Sequence, residues 1–432
     1  MAGSTVLAAR WVLPIDRPVI EPGWVEVRDH HIVGIGSGRP PGPARDLGEV
    51  AVLPGLVNAH THLELSWMAG EVPSAETFPE WVRMLLARRS ASEPYGQVRR
   101  DQALRQAVRG LQQTGTVAVG DVSNTLATVP MLRASGLGGC VFHELIGFDV
   151  PNPAAAVQEA WVRIAGAMNG PSGGADAGVG GGLSAGAEAN PARAALPLSA
   201  SVSAHAPYSV APDLFAEIVR QHGIIRPHRV GPLTVHVGES VEEIEFLRHG
   251  RGPFRELLQE LGVWRDNWYP PGCGPVEYLD RLGYLIPGVL AVHGVHLNDT
   301  AFNQLREAEA VLVVCPRSNV WVGAGMPNVS RAYALGLQVA LGTDSLASVP
   351  TLNLFDELAE LRRIAPEVSA ASLLESATRI GAQALGLGRL LGTLGAGKRA
   401  ALTTVTVATD ERDVEEYLVS GVPESAVRPL WL

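Results

Sequence analysis

Hydrophobic and polar positions repeat along most of the chain. A short, nearly unbroken apolar run ends in polar side chains, and a stretch of helical spacing follows. The runs are GLVNAHTH (55–62), TVAVGDVS (116–123), GCVFHELIG (139–147), LSASVSAHAP (198–207), PLTVHVGE (232–239), GVLAVHGVH (288–296), AVLVVCPRSN (310–319) and QVALGTDS (338–345). Continuous apolar runs suit parallel strands covered on both faces. Segments such as FPEWVRMLLARR, RRDQALRQAVRGLQQTG and PDLFAEIVRQHG between them read as helices. Eight strand–helix units predict an α/β chain whose residues 55–392 form a (β/α)8 TIM barrel.

The two ends read differently. TVLAARWVLP and PVIEPGWVEVRDHHIVGIG hold short β-patterns with turn residues at Gly23 and Asp29, and ALTTVTVAT (401–409) is a further strand candidate. Neither end can bury much surface alone. Residues 1–54 and 393–432 are therefore expected to pair into one small β-domain. Two segments break the repeat. Residues 168–197, rich in Gly, Ala and Pro, predict a flexible surface loop. Residues 250–280, with Trp264, Trp268 and Tyr269, predict either a cap over the barrel mouth or a loop packed against the barrel.

Composition narrows the partners. The chain has 432 residues, 46% hydrophobic and 18% charged, which excludes a mainly disordered protein. A net charge of −10 argues against nucleic acid or an anionic membrane as the main partner. No apolar run reaches the ~18 residues of a membrane span. The N-terminus, MAGSTVLAARWVLPID, lacks a basic start followed by a long apolar stretch, so no signal peptide is expected. Cys140, Cys273 and Cys315 are too few and too scattered for a disulfide framework, which suits a reducing, cytoplasmic compartment. Lys398 is the sole lysine. Any mechanism needing a lysine elsewhere is excluded.

Candidate chemistry sits at the run ends. His60 and His62 close the first run, His205 the fourth, His236 the fifth, His293 and His296 the sixth, and Asp344 the eighth. In a barrel these strand ends converge on one mouth, where active sites lie. A lone histidine is usually structural, but scattered packing histidines would not follow the repeat. Alternate strand residues share a face, so His60 and His62 can both point inward. With His236 and Asp344 they make three nitrogens and one oxygen for a divalent cation, with room for water. Imidazoles accept zinc, iron or manganese, zinc suiting the set best. Glu239 follows His236 by three residues. It is either a proton-transfer group beside the metal or a solvent-facing glutamate at a helix start.

The motifs LPGLVNAHTHLEL (53–65), HAPYSV (205–210), HVGE (236–239), HGVH (293–296) and LGTDSLAS (341–348) together resemble the amidohydrolase superfamily. The resemblance spans almost the whole chain and implies a β-sandwich built from both termini. It implies one metal, held by His60, His62, His236 and Asp344, and the lack of a barrel lysine agrees. It gives Glu239 the role of proton shuttle and His293 a hydrogen bond to the reacting water or departing group. Asp344 shares that proton traffic, and His205 faces the substrate. Glu144 matches a strand-three glutamate that some relatives use as a ligand; His143 precedes it. His296 reads as a packing or capping residue.

The CPRSN segment (315–319), HAPYSV, PPGCGPVEYL and GTDSLAS are most similar to aminodeoxyfutalosine deaminases. That similarity implies hydrolytic deamination of a 6-aminopurine nucleoside bearing a carboxylate. Arg317 is then a candidate anchor, with Arg251 and Arg255 as rivals and pairing to a protein carboxylate as the bland alternative. Dechlorination or amide cleavage at the same site is the competing activity. A non-enzymatic scaffold is the other rival, though such relatives lose ligands that this chain keeps. Ala401, where relatives place an aspartate, departs from the pattern, and Arg331 has no role in it. Such relatives are often homodimers.

Overall fold

The computed structural model describes residues 4–91, 96–170, 195–224 and 230–431. Most of the Gly/Ala-rich segment expected as a loop (168–197) lies outside the described residues. The N-terminal part supplies β1 (Thr5–Ala9), β2 (Trp11–Val12), β3 (Gly23–Arg28), β4 (His31–Ser37), β5 (Ala44–Asp46) and β6 (Val50–Pro54). Then follow β7 (Leu56–Thr61), β8 (Thr116–Ser123), β9 (Gly138–Leu145) and β10 (Leu198–Ala204). The next four are β11 (Thr234–Val237), β12 (Leu290–His293), β13 (Val311–Val314) and β14 (Gln338–Leu341). Strands β15 (Ala401–Thr406) and β16 (Val427–Trp431) close the chain.

The eight apolar runs become two four-stranded parallel sheets, ordered β10-β9-β8-β7 and β11-β12-β13-β14. Every residue of β11, β12 and β13 is buried, as unbroken apolar strands require. Short links join the sheets at both edges. Thr61 bridges Asp344 in parallel, and the Asp344 amide donates to the His60 carbonyl at 3.1 Å. On the other edge the His236 amide donates to the His205 carbonyl at 2.8 Å. Candidate residues thus occupy both seams. Glycine permits the tightest approach between strands: a Cβ on Gly139, whose φ is +137°, would lie 1.8 Å from the Val119 carbonyl oxygen.

The terminal strands form two more sheets, β4-β3-β1-β5 and β16-β15-β6-β2. Strand β15 pairs antiparallel with both β6 and β16, so the two ends of the chain share one sheet. Leu7, Val25, Ile32, Val52 and Leu402 bury themselves in one apolar cluster drawn from both sheets.

Residues 250–280 contain two short helices, Pro253–Glu260 and Pro275–Arg281. Trp268 stacks on Phe246 at 4.7 Å between centroids and Trp264 stacks on Phe148 at 5.7 Å, whereas Tyr269 is 82% exposed. No described helix is long and apolar enough to cross a membrane.

Candidate active site

The strand ends bring His60, His62 and His236 together. Each offers a ring nitrogen within 4.8 Å of the others. Both ring nitrogens of His60 are buried and lack a hydrogen-bond partner among the described residues. Leaving such atoms unsatisfied costs roughly 1–3 kcal/mol each. Asp344 places Oδ1 3.6 Å from His62 Nε2. Its Oδ2 accepts from the Ser318 hydroxyl at 2.6 Å and from Ser348 at 3.3 Å. One carboxylate oxygen is thereby fixed and the other is turned toward the imidazoles. His236 Nδ1 faces the His205 carbonyl at 2.9 Å, a contact that requires the proton on Nδ1 and leaves the Nε2 lone pair available. This donor chemistry fits a divalent cation held by His60, His62, His236 and Asp344.

Electrostatics agree with neutral donors. Burial, then the neighbouring His62, His236 and His293, lower the His60 pKa well below its ordinary value. Burial and the neighbouring His205 do the same to His236. Burial opposes ionisation of Asp344, but His62, His293 and the Ser318 hydrogen bond outweigh it and lower the pKa. His293 and Asp344 also adopt positive φ, +76° and +60°. Such conformations cost about 1–3 kcal/mol in non-glycine residues and tend to cluster at functional sites.

Glu239 lies beside this cluster, 4% exposed, with Oε1 3.6 Å from His293 Nε2. Burial raises its pKa well above the usual carboxylate range, and Asp344 and Glu243 add to the shift. The Glu239 amide donates to Glu243 Oε2 at 3.0 Å, which pins the turn after β11. His293 Nδ1 faces Asn319 Oδ1 at 2.9 Å, so its Nε2 points to Glu239. His205 Nδ1 contacts the Ser209 hydroxyl at 2.5 Å, and burial, then His62, His293 and Arg89, push its pKa down to about 3.

Glu144 approaches the other edge of His236, with Oε1 3.6 Å from Nδ1, and its Oε2 accepts from the Asn124 side chain at 2.9 Å. Glu144, His205 and His236 form a second group with ligand atoms within 4.8 Å of one another. The Nδ1 edge that Glu144 faces is already occupied by the His205 carbonyl, so the 3.6 Å approach of Glu144 is a charge contact rather than a hydrogen bond. His143 Nδ1 faces the Ser123 carbonyl, and His296 Nε2 the Ala324 carbonyl at 2.7 Å.

A cavity of about 520 Å³ opens over the cluster, within the usual ~300–1,000 Å³ of small-molecule sites. His62, His205, His236, Glu239, His293 and Asp344 line it. Its apolar walls come from Phe78, Trp81 and Leu85 on the Phe78–Ser90 helix and from Phe254, Leu257 and Leu258 of the 250–280 segment.

Arg317 is not among the lining residues. Its guanidinium lies 3.4 Å from Asp356 and 3.6 Å from Glu357, and its amide donates to Glu357. The expectation of a substrate anchor gives way to the bland alternative of an internal ion pair. The reason is the helix Pro316–Trp321, which turns Ser318 and Asn319 inward and Arg317 toward the helix Leu354–Ile364. Arg251 pairs with Glu245, and Arg255 lies 4.7 Å over the Trp264 ring; neither lines the cavity. Arg331 pairs with Asp299 at 2.6 Å. Sequence reasoning missed Ser318 and Asn319 as orienting groups, although both sit in the segment that drew attention to Arg317. It also missed Glu243, Asn124 and Arg89.

Residues 51–423 match the model of the amidohydrolase family. The chain is 27% identical to a 5-methylthioadenosine/S-adenosylhomocysteine deaminase of Moorella thermoacetica, over 98% of this chain and 92% of that one. It is 28% identical to an aminodeoxyfutalosine deaminase of Deinococcus radiodurans, over 80% and 76%. Among solved structures, a zinc-bound adenosine deaminase from Xanthomonas campestris superposes with a TM-score of 0.77 at 22% identity, over 98% of this chain and 90% of that one. The Helicobacter pylori aminofutalosine deaminase with methylthio-coformycin gives 0.77 at 23% identity, over 96% and 95%. These likenesses establish a shared fold. With a family match over most of its length and a histidine–carboxylate cluster at the strand ends, the chain belongs to the amidohydrolase family and is a hydrolase of C–N bonds.

Proposed function

We propose that the protein is a metal-dependent deaminase of a 6-aminopurine nucleoside, working on a (β/α)8 barrel (55–392) that carries a small β-sandwich from both termini (1–54 and 393–432). The observation that carries the reading is the buried pair of unpartnered His60 nitrogens facing His62, His236 and Asp344, with Glu239 and His293 against the same cavity. The deaminase names of the relatives support the substrate class. His60, His62, His236 and Asp344 would hold one divalent ion, zinc being the best match and iron or manganese compatible. When bound, such an ion supplies Lewis acidity and lowers the pKa of a coordinated water toward ~7.

The remaining work falls to side chains. Glu239, with its raised pKa, delivers a proton to a purine ring nitrogen next to the amine-bearing carbon and regains one from the attacking water. Asp344 and His293 take up the second proton of that water and pass it to the leaving ammonia. Asn319 keeps His293 Nε2 turned to that task. His205, held neutral by burial, faces the substrate without competing for its proton. Water and the aminopurine thereby give the oxopurine and ammonia. Aminodeoxyfutalosine is the substrate we favour within the class.

Ammonia release from a panel of aminopurine and aminopyrimidine nucleosides, with metal analysis of the same sample, tests the proposal. Turnover of a 6-aminopurine nucleoside at about one metal per chain is expected. A metal-loaded sample inert toward every 6-aminopurine would reject it. Chloride release from a chlorotriazine by that sample would move the site to the competing hydrolysis.

A further inference from the structure

The helix Phe78–Ser90 presents Phe78, Trp81, Val82, Leu85, Leu86 and Arg89 to the cavity. Their spacing of three, four, seven, eight and eleven residues from Phe78 puts them on one helical face. Five are apolar and the last is a guanidinium. At 1.5 Å per residue the face runs roughly 16 Å from end to end. It is long enough to cover a substituent that extends beyond a nucleoside.

Arg89 differs from the arginine before it. Arg88 turns away, pairs with Glu71 and lies over the Trp67 ring at 4.5 Å. Arg89 has a single hydrogen bond among the described residues, Nη2 to the neutral Asn124 amide oxygen at 3.1 Å, and no carboxylate within 4.0 Å. A last-turn arginine does offset the helix dipole, but Arg88 already meets that need from outside the cavity. Asn124 is held in turn by Glu144, which faces His236. The guanidinium is thus held at the wall of the cavity by a neutral amide, and it meets the Glu144 carboxylate only through Asn124. A cation in such a place favours an anion, and its planar fork suits a carboxylate.

We propose that Arg89 is the specificity-determining residue of the cavity and binds the carboxylate of an apolar, aryl-type substituent carried on the sugar side of the nucleoside. The proposal rests on the deaminase reading above. The aromatic and aliphatic face of the helix packs on the substituent, and Arg89 pairs with its terminal anion. An amino-acid carboxylate, as in S-adenosylhomocysteine, shares the anionic chemistry but brings an ammonium group that finds no apolar match on this face.

The test compares kcat/KM for two pairs of nucleosides in the metal-loaded protein. One pair is a 5′-aryl carboxylate aminopurine nucleoside and its carboxamide. The other is S-adenosylhomocysteine and methylthioadenosine. The ratio of charged to neutral substrate is the readout, since a loss of folding or metal lowers both rates together. In the unsubstituted protein the aryl carboxylate should be preferred by roughly 10- to 150-fold, the usual value of a hydrogen bond to a charged group. Arg89→Met should collapse that ratio toward one, Arg89→Lys should keep part of it, and Arg317→Met should leave it in place. Equal rates for carboxylate and carboxamide in the unsubstituted protein, or a ratio that survives Arg89→Met, would overturn the proposal while the deaminase reading stands. A larger ratio for the S-adenosylhomocysteine pair would replace the aryl group by an amino acid. Absence of ammonia from all four would instead reject the deaminase reading.

Discussion

Glu239 and Asp344 are both acidic and both line one cavity, yet their surroundings push them in opposite directions. Glu239 is buried next to other carboxylates and holds its proton; Asp344 is buried among imidazoles and hydroxyls and gives its proton up. Replacing Glu239 by Gln preserves shape and removes proton transfer. Turnover should fall by ~10²–10⁴ with metal content unchanged, which steady-state kinetics and metal analysis together would check. Ser318 acts one step further out. Its hydroxyl holds Asp344 Oδ2 at 2.6 Å, so Ser318→Ala leaves the carboxylate with only the longer bond from Ser348. Loss of such an orienting bond costs ~10–100-fold in metal affinity or activity, so competition with a chelator should strip the variant at proportionately lower chelator concentration.

At the scale of elements, the turn after β11 is held by a carboxylate. Glu243 Oε2 accepts from the Glu239 amide, while Oε1 is buried without a partner among the described residues. Burial raises its pKa to about 8, although the hydrogen bonds from the Gly238 and Glu239 amides work against the shift. The folded chain therefore keeps a proton that the unfolded chain loses near the ordinary glutamate pKa. Between those values the folded state binds more protons, so stability falls as pH rises and is fullest below the unfolded pKa. Glu243→Gln does not titrate and should lose less stability between about pH 5.5 and 8.5. Urea midpoints at three pH values would show it. Asp121, raised to about 7, and Glu357, raised to about 8, keep part of the slope. Identical slopes in the two proteins would mean Glu243 is ionised throughout.

For the whole molecule, the candidate metal residues lie on both edges where the two parallel sheets meet. His60 and Asp344 stand on one seam and His236 on the other. A cation held by them cross-links segments almost 300 residues apart, and it satisfies nitrogens that otherwise remain unpaired. Binding to the folded state alone stabilises by about 2.7 kcal/mol at a hundredfold excess over Kd. Chelation should accordingly lower the melting temperature, and restoring zinc should recover it. A melting curve indifferent to chelator would argue against this set of ligands.

Much of this arrangement could be read in the chain itself. Short unbroken apolar runs that alternate with helical stretches suit strands covered on both faces, and a polar residue closing each run then lies at a strand end. That logic places His60, His62, His205, His236, His293 and Asp344 at strand ends. Arginine roles could not be read in this way. Whether Arg317 faces the cavity depends on how a one-and-a-half-turn helix rolls, and that roll is decided by Asp356 and Glu357, about forty residues later. Arg89 was hidden for the converse reason. An apolar stripe such as Phe78 to Leu86 normally marks a face packed into the core, and only the 250–280 segment, supplying Phe254, Leu257 and Leu258 opposite, leaves a cavity against it. Local pattern follows from covalent order and periodicity, so the sequence by itself determined the strands and the residues at their ends. Which charges are neutralised, and which are left facing a ligand, depends on contacts between distant segments, and these only the tertiary structure decided.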